Sequence, residues 1–347
     1  MRLNSFSVVV ASLLLYLAVP VRAARRSGRP DDDSWGRKGD IDRSKRLPPP
    51  LLRSPKSVPL AAKASPPLLW SFSQGSNFNG GVAVGSGTVF AGDNLHFYAF
   101  DALTGAGRWN TSTSGMWSAA AEHDGVVYWA STSANVHANN ARTGAVVWTT
   151  RVGGVQGGTL TVHNGTVLAA AKTQLSCLDG ATGSTVWASA TAGEMTGQRP
   201  AVQNGNVIVA DDGGNVYAFD FATGAKAWQA TGYGDIDSNV AVGGGRVYLG
   251  SLGEKNVTAF DATTGAVLWR LPQLYEVDDG LRYHNEVLYF GNNGGVIHAV
   301  SAATGTVKWA TTLSTGYMWT EAVVDSQQGL LYTAVNGNGL TANVYAV

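Results

Sequence analysis

The chain has 347 residues, of which 14% are charged, and its 24 Lys/Arg are balanced by 24 Asp/Glu. That neutrality hides an asymmetry: residues 24–66 carry eleven basic and five acidic side chains, whereas 67–347 carry eleven basic and nineteen acidic ones. An acidic body excludes a groove that grips nucleic acid, which needs a positive surface, and a single cysteine, Cys177, excludes an internal disulfide framework.

Residues 1–23 read as a cleaved secretory signal. Arg2 supplies the positive start, Val8–Val21 is an apolar run of 14 residues, and Val21-Arg22-Ala23 puts small residues at a cleavage site. A helix of that length, at about 1.5 Å per residue, falls short of the roughly 30 Å hydrocarbon core. The mature chain is expected outside the cytoplasm: secreted, or periplasmic in a bacterial host. Residues 24–66 hold seven prolines and show little apolar periodicity. Such a stretch cannot bury enough surface to offset chain entropy, which predicts a disordered basic linker or pro-segment. Within it, Arg43-Ser44-Lys45-Arg46 resembles a site for processing proteases, and its charge suits an anionic partner.

From residue 67 onward one theme repeats. Trp70, Trp109, Trp148, Trp187, Trp228, Trp269 and Trp309 recur 39 to 41 residues apart. Before all but the first stands one phrase, as in FYAFDALTGAGRW, VYAFDFATGAKAW and VTAFDATTGAVLW, with weaker copies VHANNARTGAVVW, LSCLDGATGSTVW and IHAVSAATGTVKW. A period near 40 with one aromatic anchor per unit marks a propeller or solenoid. Asn204-Gly205 between two β-forming runs is a hairpin signal, and Asp211–Asn215 and Asp220–Gly224 break the next two strand pairs. Each unit is therefore four antiparallel strands, A to D, with the Trp on the outermost. In D-x-x-T-G the Asp carboxylate can accept nearby backbone N–H groups, and Gly supplies the positive φ of a tight turn. Asn140 and Ser301 replace that Asp in two copies, and Cys177 takes a small buried position that is Ala in other copies. The ends complete each other: Val344–Val347 reads as a strand C without its Trp strand, and Leu68–Phe72 as a Trp strand without a unit before it. The predicted fold is an all-β, seven-bladed propeller of four-stranded antiparallel blades, its ring closed by the N-terminal strand plus the C-terminal strands.

The A-x-D-x-x-T-G-x-x-x-W phrase resembles the tryptophan-docking motif of the pyrroloquinoline-quinone-like (PQQ-like) β-propeller family over residues 68–347. The resemblance implies two functional classes. Quinoprotein dehydrogenases of the family hold PQQ in the central channel with calcium, an Asp base, adjacent cysteines and a tryptophan floor. This chain has no adjacent cysteines and no CxxCH, so no catalytic residue carries over. Cofactor-free members instead present loops to protein partners. The expectation is a binding or scaffold propeller without catalysis, cofactor or metal, acting as a monomer. A PQQ-dependent oxidoreductase and a carbohydrate-binding or carbohydrate-cleaving propeller are the alternatives.

In a four-strand meander the A–B and C–D turns share one face, and the B–C turns and D–A crossovers share the other. The crossovers vary most, and varied loops on a rigid frame are where binding resides. They carry Glu194, Asp235, Asp237, Glu276, Asp278, Asp279 and Glu321 against Arg199 and Arg282, together with Trp117, Tyr233, Tyr275, Tyr317 and Trp319. Acids converging on a channel mouth favour a cation or basic peptide, and the rings suit a sugar or a protein partner. Asp235, Asp237, Asp278 and Asp279 would be the oxygen donors for calcium, although no recognised loop motif frames them. Asn110, Asn164 and Asn256 open N-glycosylation triplets. The six histidines fall in different units and read as turn or surface residues.

Overall fold

The computed structural model describes residues 69–347 except 74–77, 79–80, 117–118, 154–159, 237, 279, 319–320, 328 and 338–341. The signal segment, the basic stretch with its processing site, and Trp117, Asp237, Asp279 and Trp319 therefore lie outside the described residues. The rest forms seven four-stranded antiparallel sheets, spanning 83–112, 121–151, 160–190, 201–230, 241–272, 282–312 and 316–346. In sheet 1 the strands A to D are Ala83–Gly85, Thr88–Gly92, His96–Asp101 and Gly107–Ser112. The A strands of sheets 1, 2 and 3 pack side by side, as do those of sheets 4, 5 and 6. Thr161 of sheet 3 donates its hydroxyl to Pro200 O just ahead of sheet 4, at 2.6 Å. Each apolar cluster lies between two neighbouring sheets, for example Val209, Tyr217 and Phe219 against Leu168, Leu175 and Trp187.

The local chemistry of the repeat explains this build. Asn204 and Gly205 both take positive φ, 50° and 76°, the pairing that lets a two-residue turn follow the twist of its strands. On every C–D pair of sheets 1 to 6 the Trp stands opposite a small residue: Ala99, Ala138, Cys177, Ala218, Ala259 or Ala299. Just beyond each such pair the ladder slips register, a bulge that bends the strand toward its turn. Cys177 is 1% exposed in this slot, and burial pushes its thiol pKa up, so it behaves as a small core residue.

The indoles of sheets 1 to 5 then cross to the next sheet, each donating to the carbonyl that follows the first residue of the C–D turn. Trp109 reaches Ala141 O at 3.0 Å, Trp148 Gly180 O at 2.8 Å, Trp187 Phe221 O at 2.9 Å, and Trp228 and Trp269 reach Ala262 O and Ala302 O at 3.1 Å. The turn itself is braced as the motif predicts: Asp179 Oδ1 accepts Ala181 N, Thr182 N and Thr182 Oγ1 at 2.8 to 3.1 Å. The Thr182 hydroxyl, foremost, holds the Asp179 carboxyl below its ordinary pKa, and Thr223 does the same for Asp220. Asn140 reproduces the arrangement, accepting Arg142 N and Thr143 N. Ser301 does not: among the described residues its turn is closed by main-chain bonds from Thr304 N and Gly305 N, because the hydroxyl is one atom shorter than a carboxylate.

Sheet 7 departs from the pattern. Its central strand, Leu330–Gly337, pairs on one edge with Val323–Asp325 and with the short crossover piece Gly316–Tyr317, and on the other with Ala342–Ala346. The N-terminal segment keeps the docking role expected of it. Trp70 Nε1 donates to Ala102 O at 3.1 Å, its ring lies over Gly105, and Phe72 packs on Phe100 with ring centres 4.6 Å apart. The segment itself is not a strand, and no ladder joins it to Ala342–Ala346 among the described residues. Indole packing and one hydrogen bond thus suffice to seat Trp70.

Candidate functional site

The crossover face is assembled from the residues that follow each Trp strand. Seven to nine positions after the Trp, each described crossover drives one apolar side chain inward: Met116, Met195, Ile236, Val277 and Met318, none more than 1% exposed. Glycines on the B strands make room, since a Cβ at Gly92, Gly250 or Gly291 would fall 2.3 to 2.7 Å from Met116, Val277 or Met318. The loops are also tied to the B–C turns beneath them. Asp211, fully buried, accepts Gly193 N at 2.8 Å, Asn215 N at 3.0 Å and the Tyr217 hydroxyl at 2.8 Å. In sheet 5, Ser251 donates its hydroxyl to Tyr233 O and accepts Glu254 N. The described crossovers are thus anchored by both apolar plugs and hydrogen bonds.

Three of the seven crossover acids meet a base. Glu194 meets Lys172 at 3.6 Å, Glu276 meets Lys255 at 2.7 Å, and Arg282 meets Glu321 at 3.0 Å. The Lys255 ammonium beside Glu276 holds that carboxyl below its usual range. Basic residues of the B–C turns and of one A strand thus answer Glu194, Glu276 and Glu321, while Asp237 and Asp279 lie outside the described residues. Asp235 is exposed and its main-chain carbonyl accepts Leu252 N at 3.0 Å, while Asp278 is half-buried. The exposed Arg199 fixes its backbone N–H on Asn239 Oδ1 at 2.7 Å and lines a cavity of about 210 Å³ with Ala121, Leu160 and Thr161.

The aromatic expectation divides in two. Tyr233 is 4% exposed, its ring turned under the Arg270 guanidinium at 5.1 Å, and so is part of the core rather than of a binding surface. Tyr275 and Tyr317 stand out at 47% and 43% exposure, and Leu274, next to Tyr275 in the chain, at 87%. The Tyr275 ring lies against Gly294, where a Cβ would come within 2.3 Å.

Two histidines also depart from expectation. His137 and His298 occupy the same repeat position, one before the small residue of strand C, and stack on Trp129 and Phe290 at 4.0 and 4.8 Å. Burial lowers each from the ordinary 6.5 to about 4. Between those values the unfolded chain binds protons that the folded chain refuses, so stability falls as pH drops through that window. The expected loss is at most about 2 kcal/mol per ring, allowing for partial exposure. Urea midpoints at neutral pH and near pH 4.5 read it out, and His298→Phe should shrink the difference. Of the glycosylation candidates, Asn110 and Asn164 are exposed. Asn256 is 8% exposed with its Oδ1 accepting the Thr258 hydroxyl, so the folded chain does not present it.

The only cysteine is buried in sheet 3, and the described residues contain no group of three or more His, Cys, Asp or Glu placed to hold a metal ion. No helix among the described residues is long and apolar enough to cross a membrane.

Comparison with known proteins places the fold. The family model described as outer membrane protein assembly factor BamB matches residues 132–255 and 253–346. Among solved structures, BamB from Moraxella catarrhalis superposes with a TM-score of 0.63 at 21% identity, covering 77% of this chain and 83% of that one. A quinohemoprotein alcohol dehydrogenase, ADHIIG from Pseudomonas putida HK5, gives 0.62 at 14% identity over 74% and 62%. The computationally designed Ika8 protein gives 0.52 at 16% identity over 78% and 96%. At these identities the structures share the fold alone. No curated protein matches the sequence. The family match together with the docked tryptophans shows that the chain belongs to the PQQ-like β-propeller repeat family, in the group described by the assembly factor BamB.

Proposed function

We propose that this propeller is a protein-binding scaffold that works through its crossover face in the secretory or envelope compartment, without catalysis or cofactor. The observation that supports this most is the trio Leu274, Tyr275 and Tyr317, exposed on loops whose following residues, Val277 and Met318, are locked in the core. Exposed aromatic and aliphatic anchors on a preorganised loop lose little entropy on binding and are the side chains that dominate interface energy. The ion pairs Lys255–Glu276 and Arg282–Glu321 have their acids in the same two crossovers and would set orientation rather than strength. The matching family is described as an assembly factor for outer membrane proteins, which agrees with a protein partner. The quinone alternative rests on likeness of fold.

A photo-crosslinking residue at Tyr275 tests this against the same residue at Val147, which is 47% exposed on the outer strand of sheet 2. A partner adduct specific to position 275 is expected. Leu274→Asp should reduce it at least tenfold, since losing a central anchor removes about 2 kcal/mol of binding. The melting temperature should stay put, because surface changes stay within about 0.5 kcal/mol. Equal adducts from both positions would defeat the proposal.

A further inference from the structure

A second recess lies on the opposite face, in the seam between sheets 1 and 2. It encloses about 480 Å³, in the range of small-molecule sites. The corresponding seams between sheets 2 to 6 are plugged by side chains. Tyr128 donates to Gly180 O across seam 2–3, Phe221 packs on His163 in seam 3–4, Asn206 donates to Ala262 O in seam 4–5, and Tyr248 donates to Ala302 O in seam 5–6. In sheet 1 the residues aligned with Asn206 and Tyr248 are Thr88, which is too short, and Phe90, which has no hydroxyl.

What lines the gap is specific. Arg108 is held rigidly, with Nη1 donating to Thr88 Oγ1 at 2.6 Å and Nη2 to Asp101 Oδ2 at 2.7 Å, which leaves the remaining N–H groups of its fork. Arg142 projects from the next C–D turn, exposed and with no acid in ion-pair reach among the described residues. Ser86, Thr88 and Thr143 add hydroxyls and Asn140 an amide. Glu122 stands behind the lining, accepting the Ser86 hydroxyl at 3.1 Å and Gly125 N at 2.9 Å, and Thr143 donates its hydroxyl to Asn140 Oδ1 at 3.1 Å. The repeat positions of Arg108 and Arg142 are filled elsewhere by Val147, Val186, Ala227, Leu268 and Lys308, and by Leu103, Ala181, Ala222, Thr263 and Ala303. At these two repeat positions, arginines therefore line one recess together only at this seam, on a body that is otherwise rich in acids.

From this juxtaposition we infer that the seam binds a sugar acid: a hydroxyl-rich ring bearing a carboxylate. The carboxylate pairs with Arg142 and the free edge of Arg108, as guanidinium forks pair with oxyanions, and the ring hydroxyls donate to Ser86 and Thr143 Oγ, whose own protons go to Glu122 and Asn140, and accept from Thr88. Titration calorimetry of the full chain with glucuronate, glucose and inorganic sulfate tests it. Saturable glucuronate binding is expected, with glucose and sulfate each at least about tenfold weaker. Arg142→Ala should weaken glucuronate about tenfold or more and Arg142→Glu should abolish it, both with wild-type melting, since the Arg142 side chain makes no ion pair or hydrogen bond among the described residues. Anion binding by the basic stretch 24–66 would survive both substitutions. That result, the absence of saturable binding, or equal affinity for glucose or sulfate would overturn the inference.

Discussion

Gly183→Ala is expected to destabilise the propeller by about 3–5 kcal/mol and lower its melting temperature by roughly 10 °C. Gly183 sits at φ 72°, where an L side chain strains the backbone by about 1–2 kcal/mol. A Cβ there would also fall 2.5 Å from the Trp148 ring and 2.7 Å from Thr150 Oγ1. The ring must then retreat, loosening its bond to Gly180 O, and the Thr150 bond to Gly183 O goes with it. The turn and the indole that docks on it thus share one residue. Differential scanning calorimetry measures the shift. Gly205→Ala is the control: it has a similar φ of 76° but open space around its Cβ, so it should show only the strain component.

Asp211→Ala should cost a comparable amount, about 3–5 kcal/mol, by another route. It leaves Gly193 N, Asn215 N and the Tyr217 hydroxyl without their acceptor in a site closed to water. Each unsatisfied buried donor costs about 1–3 kcal/mol. Two of those donors belong to the B–C hairpin and one to the crossover, so damage should concentrate on the binding face. Amide exchange reads this directly: protection at Gly193 and Met195 should fall further than at Val207 or Val216 in the same sheet. Uniform loss across sheet 4 would mean that Asp211 braces the sheet and not the loop.

The architecture was legible because its determinants are periodic and local. Trp148, Asp179, Thr182 and Gly183 each act within one turn or across one seam, and Cys177 could be recognised as a stand-in for Ala because five other copies show the slot is small. The binding face was legible only as a location. Lys172 and Lys255 neutralise Glu194 and Glu276 from B–C turns that are distant in sequence, so a count of acids along the crossovers overstates the charge. Tyr233 reads like Tyr275 in sequence, yet Arg270 on the D strand of sheet 5 covers it. The apolar plugs Met195, Ile236 and Val277 carry a signal in their fixed distance from the Trp, but loop residues of varied type conceal it. His137 and His298 belong to strand C, where alternation turns them inward, and not to a turn or the open surface.

Docking of each tryptophan on the next sheet, with Trp70 as the first of the series, is tested most directly by the thermal unfolding of Trp70→Ala beside Trp228→Ala. Trp228→Ala should melt roughly 10 °C below the wild type, the usual loss for a buried indole. Trp70→Ala, at the same contacts but less enclosed, should fall by at least half as much. A Trp70→Ala protein that melts with the wild type would contradict it.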